Sequence, residues 1–376
     1  MTAFSELTSL RMLALARAAL HGTIPDENLF INIGEADWNG VFELSTVQGV
    51  MVLSLNGAMG LPKDLQPPMK LKLRWIASVE AAEKRYRHCL ETAEKLSSRF
   101  KENNIQMLLF KGLALSRLYP VPFSREFGDI DIFLCGKAKE GDALLERIAV
   151  KHHGSSKKHT GFYYGGILIE NHHTFLNHNY KSFHHSEALE KRLMMMLTEA
   201  GIFEEATSVA SRSVNETLLF PPPDFDALFV TLHTIAHFPS GILLRQLCDL
   251  TVLFTAYKGK PDFSDYREAL SEAGLLKVAD AFISLSVRKL GLNPEYAPPY
   301  VSDLSLENRI WDNMLNPEGP LLPKEKRSSF NVFFYKIRLL RAYRWKYELV
   351  FSGKFREMIF RSIFFYLRHP KIIGKL

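Results

Sequence analysis

An apolar run, Ile105-Gln106-Met107-Leu108-Leu109-Phe110, stops at Lys111-Gly112, and after a helix-like stretch Gly128-Asp129-Ile130-Asp131 opens a second run, Ile132-Phe133-Leu134. Two buried strands joined through such a connection constrain the fold more than any other segment. Side chains two apart on a strand project from the same face, so Asp129 and Asp131 can share one hard divalent cation. Mg²⁺ typically takes one or two carboxylates together with substrate phosphates. Lys111 and Gly112, at a strand-to-helix turn, offer phosphates a cation and free backbone N–H groups. Both carboxylates adjoin apolar sequence, where unpaired charge is costly, and Gly128 lets the backbone turn sharply or approach a ligand closely. The combination points to metal-assisted transfer from a nucleoside triphosphate, whereas Asp-x-Asp alone also fits a solvated loop entering a strand.

Lys111-Gly112, Leu115, Tyr119-Pro120, Arg125 and Gly128-Asp129-Ile130-Asp131, followed by apolar residues, resemble the uncharacterised nucleotidyltransferase family of the DNA polymerase β-like superfamily. The resemblance covers most of residues 1–255 and is most specific from Leu109 to Leu134. The wider superfamily commonly carries Gly-Ser at the first turn, where this chain has Lys111-Gly112-Leu113. The implied fold is mixed α+β: a nucleotidyltransferase core, a small mixed sheet with helices, flanked by N- and C-terminal helical regions. Such catalysis uses a third carboxylate on a neighbouring strand, and the resemblance assigns it to Glu170, with His172 sharing its face in Ile167-Leu168-Ile169-Glu170-Asn171-His172. Glu170 also reads as an edge charge that discourages pairing with another chain. The implied metal ligands are Asp129, Asp131 and Glu170, the cofactor Mg²⁺ or Mn²⁺, and the substrate an NTP bound near Lys111, Gly112, Arg125 and Gly128.

Farther along, His233 and His237 share a helix face at i, i+4, and so do Arg245 and Asp249 on the next helix. The family resembled shows a similar pattern, which implies that His233, His237 or Arg245 holds the triphosphate while Asp249 orients one of them. The alternative is a buried polar knot between two helices, which must be fully hydrogen-bonded.

Helical periodicity runs over residues 5–20 and stops at Gly22, an apolar segment spans Val41 to Met59, and a long amphipathic helix follows from about Met69 to Phe100. A helix is expected near Ala138–Val150, strands at Phe162–Tyr164 and Ile167–His172, and two helices between Asp226 and Phe254. Phe220-Pro221-Pro222-Pro223 is the clearest internal break. The expected organisation is an N-terminal helical region (1–103), the nucleotidyltransferase core (104–220), a C-terminal helical domain (221–329) and a basic aromatic tail (330–376). Residues 152–185 are rich in histidine, which fits a metal cluster or solvated loop side chains.

Charge is distributed unevenly. Residues 330–376 hold eleven Lys/Arg against two acids, a local +9, while the other 329 residues sum to −3. A slightly acidic body argues against a nucleic-acid acceptor and favours a small molecule or a protein side chain. The tail, with Phe, Tyr and Trp interleaved among bases, suits peripheral contact with a membrane or an acidic partner and equally suits packing on the body. Three well-separated cysteines, no basic leader and no apolar run of membrane-spanning length suggest the cytoplasm, with peripheral membrane contact through the tail. A reading from another class is a non-catalytic nucleotide-binding scaffold or sensor that docks through its basic tail.

Overall fold

The computed structural model describes residues 4–151, 158–178, 183–203, 218–316 and 329–351, with a few positions beyond. It is mostly helical around a small mixed sheet. The N-terminal helices are α1 (Glu6–His21), α2 (Glu35–Val47), α3 (Met51–Met59) and α4 (Met69–Glu102). The sheet and its connections follow: β1 (Leu108–Phe110), α5 (Gly112–Ser116), β2 (Asp129–Phe133), α6 (Ala138–Ile148), β3 (Val150–Lys151), β4 (His159–Tyr164) and β5 (Ile167–His172). Then come α7 (Ser186–Glu199), α8 (Pro223–His237), α9 (Leu244–Tyr257), α10 (Phe263–Glu272), α11 (Leu276–Leu290), α12 (Leu304–Leu315), α13 (Ser329–Ala342) and α14 (Arg344–Val350).

Local chemistry sets several of these boundaries. Ser5 accepts a hydrogen bond from the Thr8 N–H at the start of α1, and Gly22 ends it in the left-handed conformation. The apolar segment Val41–Met59 divides into two helices because Gly49, at φ +66°, turns the chain between them. Gly165 and Gly166, both at positive φ, make the two-residue turn joining β4 to β5. That turn type suits the twist of a hairpin.

The sheet order is β1-β2-β5-β4-β3, with β2 and β5 parallel and the other pairs antiparallel. One face carries Ile130, Ile132, Phe162, Ile167 and Ile169 into an apolar cluster completed by Cys89, Ala93, Leu96 and Phe100 of α4 and Leu145 of α6. Phe110 and Phe133 belong instead to a larger core with Phe175, Phe225 and Phe229. Residues alternating with the isoleucines of β2 and β5 therefore look toward α8, and Asp129, Asp131, Glu170 and His172 are among them.

The larger core is shared by the N-terminal helices and those that follow the proline run. The Gln48 side chain donates to the Met314 carbonyl at 3.1 Å and accepts from the Leu244 N–H at 2.8 Å. His21 Nε2 lies 2.7 Å from the Leu290 carbonyl. Pro222 caps α8 and Pro223 is its first residue, a position where a missing N–H costs nothing. Just before them, Leu219 forms a bridge to β1.

In the tail, Tyr343, Tyr347, Val350, Phe351 and Phe355 join the larger core. Trp345 packs edge-on against Phe238, and the Lys346 ammonium is 4.3 Å from the Tyr343 ring centroid. These contacts match the reading in which tail aromatics pack on the body. The sequence also suggests a second tail helix, Phe355–Arg368, set off by Gly353 and closed by Pro370, and most of it lies outside the described residues. Among the described residues no helix is long and apolar enough to cross a membrane.

Two predictions follow from this packing. Helix α3 crosses α1 so closely that a Cβ on Gly57 would lie 2.2 Å from the Leu15 carbonyl oxygen, a backbone atom that cannot rotate away. Gly57→Ala should cost about 1–3 kcal/mol or more, read as a lowered Tm or denaturation midpoint, while Gly34→Ala, with open space around it, should not. The second concerns Asp226 of α8, whose buried carboxylate accepts from Tyr257 at 2.7 Å and lies 3.5 Å from Arg117. Burial raises its pKa from 3.8 to about 6 against the opposing pull of Arg117 and Tyr257. Between these values the native state holds a proton that the unfolded chain has released, so this group's contribution to stability falls as pH rises from about 4 to 6. Asp226→Asn should flatten stability against pH in that window, as measured by urea unfolding at successive pH values.

Candidate functional site

The site is built around Asp131, in the middle of β2 and only 4% exposed. Its Oδ1 is 2.5 Å from Lys111 Nζ and 2.8 Å from His172 Nε2. Burial works against the charged carboxylate, but Lys111 and His172 outweigh it and hold the Asp131 pKa well below the usual range. Lys111 reaches it from the turn after β1. Its backbone sits at φ 56°, ψ −128°, a region that L-residues with side chains rarely occupy. A strained residue whose ammonium meets a buried carboxylate is the kind of outlier that marks a functional position.

Asp131 and Glu170 are register partners on the parallel strands β2 and β5. The Glu170 Oε2 atom is 3.5 Å from His172 Nε2 and 3.2 Å from His159 Nδ1. Thus one imidazole nitrogen lies within 3.5 Å of both carboxylates. Asp129, at the start of β2, is half-buried. Burial, then the charges of Asp131 and Glu170, raise its pKa from 3.8 to about 6. The three carboxylates expected from the sequence are therefore mutually close and on one face. His172 stands between two of them, with its Nδ1 3.3 Å from the Thr174 carbonyl.

A second lysine borders this cluster. Burial and the nearby Lys111 charge lower the Lys158 pKa from 10.5 to about 8. Lys158 also lines a small cavity with Phe175, Phe229 and His233. On α8, His233 and His237 stand with ring centroids 4.5 Å apart. Burial, followed by the neighbouring Lys111, His237 and Lys158, pushes His233 well below its ordinary value. Positive and imidazole groups thus converge from β1, β4 and α8 beside the carboxylates, and phosphates need such surroundings.

The remaining expected residues are placed differently. Arg125 is buried in a bidentate pair with Asp249, Nε to Oδ1 at 3.0 Å and Nη2 to Oδ2 at 2.9 Å, and the Tyr119 hydroxyl donates to the same carboxylate at 2.7 Å. Asp249 therefore orients neither histidine, nor Arg245; the polar knot is real but joins α9 to the segment preceding β2. Arg245 donates to the Glu126 carbonyl at 2.7 Å, and its Nε is buried with no hydrogen-bond partner among the described residues. Helix α5 is only five residues long, so the helix dipole expected behind Gly112 is small. Gly112 is instead a close approach: a Cβ there would lie 3.2 Å from Phe127 and 3.4 Å from the Arg125 guanidinium. Gly128 has open space around it and no positive φ, so its backbone needs no glycine.

The histidine-rich stretch resolves into separate environments. His159 joins Glu170 and His172, whose ligand atoms all lie within 4.8 Å of one another. His173 contacts Asp142 at 3.4 Å and His178 contacts Glu190 at 3.5 Å. His152 and His153 lie outside the described residues. Sequence reasoning did not single out Lys158 or His159. The signal was the Gly165-Gly166 turn: counting outward along the hairpin sets His159 opposite His172.

Removing Asp249 would leave a buried guanidinium without its counter-charge. Asp249→Ala should cost about 3–5 kcal/mol, with a cooperative drop in Tm, and the double change Asp249→Ala with Arg125→Met should recover much of that loss.

The family described as uncharacterised nucleotidyltransferase matches residues 34–291, more than half of the chain, and the chain belongs to that family. No curated protein and no solved structure gave a significant match.

Proposed function

We propose, on the premise of that family membership, that the chain moves a nucleoside monophosphate from an NTP to a hydroxyl of a small molecule or a protein side chain. Membership suggests nucleotidyltransferase activity. The observation that carries the finer reading is the register of Asp131 against Glu170, with Lys111 and His172 both in contact with Asp131. The donor set suits a hard divalent cation: Asp129, Asp131 and Glu170 offer carboxylate oxygens from adjacent strands, and Lys111 and His172 both engage Oδ1 of Asp131. Bound there, Mg²⁺ or Mn²⁺ would act as a Lewis acid toward phosphate oxygens and make the acceptor hydroxyl more acidic.

The chain's own groups account for the rest. Lys111 and Lys158 supply positive charge to the triphosphate, and His233 and His237, on the facing helix, contribute donors on the same side. The acceptor oxygen attacks the α-phosphorus; the new P–O bond forms as the bond to the β-phosphate bridging oxygen breaks, and pyrophosphate leaves with that electron pair. Glu170, whose side chain is 18% exposed beside His172, accepts the hydroxyl proton.

 The carboxylate is thus open enough to meet an acceptor and lies 3.5 Å from His172 Nε2. The body charge of −3 outside the tail supports a small-molecule or protein acceptor over nucleic acid.

The test is incubation of the purified protein with each labelled NTP, Mg²⁺ or Mn²⁺ and a cell extract, following pyrophosphate release and the molecule that acquires label. Asp131→Asn should lower turnover roughly 10²–10³-fold, the cost of losing a central electrostatic group, with the fold retained by circular dichroism. Near-wild-type turnover in that variant would overturn the reading. Nucleotide binding without any turnover in the wild type would favour the scaffold or sensor instead.

A further inference from the structure

We infer that His159, Glu170 and His172 form a mixed nitrogen–oxygen site for a transition-metal ion of borderline softness, with Co²⁺ and Zn²⁺ as the chemical class. The site shares Glu170 with the all-carboxylate set above but adds two imidazole donors, and binding there does not require the transfer reading to be correct.

Sheet register builds it. His159 on β4 and His172 on β5 are direct cross-strand partners, and Glu170 precedes His172 by two residues, on the same face. Directly across from Glu170 stands Gly161, which has no side chain to fill the space beside the carboxylate. The Glu170 Oε2 atom is 3.2 Å from His159 Nδ1 and 3.5 Å from His172 Nε2, and all three ligand atoms lie within 4.8 Å of one another. Bonds of about 2.0–2.2 Å to one ion place tetrahedral ligand atoms about 3.4 Å apart, so the two imidazoles have to draw together and His172 Nε2 has to exchange Asp131 Oδ1, 2.8 Å away, for the ion. The second ring nitrogen of His172 faces the Thr174 carbonyl at 3.3 Å, the outer partner that fixes a metal-binding tautomer.

The donor set selects the ion. Imidazole suits Zn²⁺, Co²⁺ and their neighbours, whereas Mg²⁺ prefers oxygen ligands and water. Two histidines and one carboxylate leave coordination positions open, as in catalytic rather than purely structural sites. The side chains of His159 and Glu170 are 21% and 18% exposed, so those positions face solvent. Lys111, whose Nζ lies 3.4 Å from His172 Nε2, and Lys158 oppose a cation here, but Asp129, Asp131 and Glu170 outnumber them.

The experiment titrates CoCl₂ into the full-length protein without nucleotide, following visible absorption and calorimetry, with and without a large excess of Mg²⁺. The expected result is one Co²⁺ bound with nitrogen-type d–d bands, resistant to Mg²⁺, and weakened about tenfold or more by His159→Ala and by Glu170→Gln. His159 is partly exposed, and circular dichroism with thermal melting checks that its variant folds. Binding that ignores His159→Ala, or that Mg²⁺ displaces, would overturn the site. Neither readout involves nucleotide turnover, so failure of transfer would leave this site standing, and failure of Co²⁺ binding would leave the transfer reading standing.

Discussion

A carboxylate in the middle of a sheet has to be compensated, and the arrangement around Asp131 follows from that requirement. At 4% exposure, Asp131 would be prohibitively costly alone. Lys111 and His172 meet it from β1 and β5, the strands on either side. This ties the strained turn after β1 to the sheet, and it draws Glu170 and His159 into the same polar patch through His172. The opposite face of the sheet needs no such arrangement, since its isoleucines pack on α4 and α6. One sheet thus separates a mainly apolar layer, in which Asn171 and Thr160 bond to Asp142, from the layer that carries the carboxylates.

Charge compensation also explains why some polar residues serve the architecture. Arg125 and Asp249 satisfy each other, and Tyr119 completes the set. With its Nε–Nη2 edge engaged by Asp249, Arg125 holds α9 against the segment leading into β2. Its influence on the carboxylates is carried by its charge, which lowers the Asp129 pKa in opposition to burial.

Much of this was legible in the sequence. The runs flanking Lys111 and the Asp-x-Asp segment fold as β1 and β2, and the isoleucines and carboxylates divide between two faces as a period of two requires. Glu170 falls beside Asp131 because β5 is parallel to β2, a register that the sequence alone could not set. Spacing on a helix misled in one case: Arg245 and Asp249 share a face at i+4, yet Asp249 bonds to Arg125, more than a hundred residues away. Local periodicity says which side chains point together and nothing about which distant partner reaches them first. Helix α7 is not among the expected elements, although Leu189, Leu193, Met196 and Leu197 form a buried stripe at helical spacing.

The shared core has a consequence for the order in which the chain can mature. Hydrogen bonds join His21 to Leu290 and Gln48 to Met314, at sequence separations of 269 and 266. At synthesis rates of about 5–20 residues per second, the first helices leave the ribosome on the order of 10–50 s before their partners exist. During that interval the apolar surface that α1, α2 and α3 turn toward the later helices lacks its partners, and contacts of such long range form slowly even afterwards. The nascent protein therefore presents its N-terminal third as a holdase substrate, and conditions that slow elongation will lengthen the time it spends exposed to aggregation.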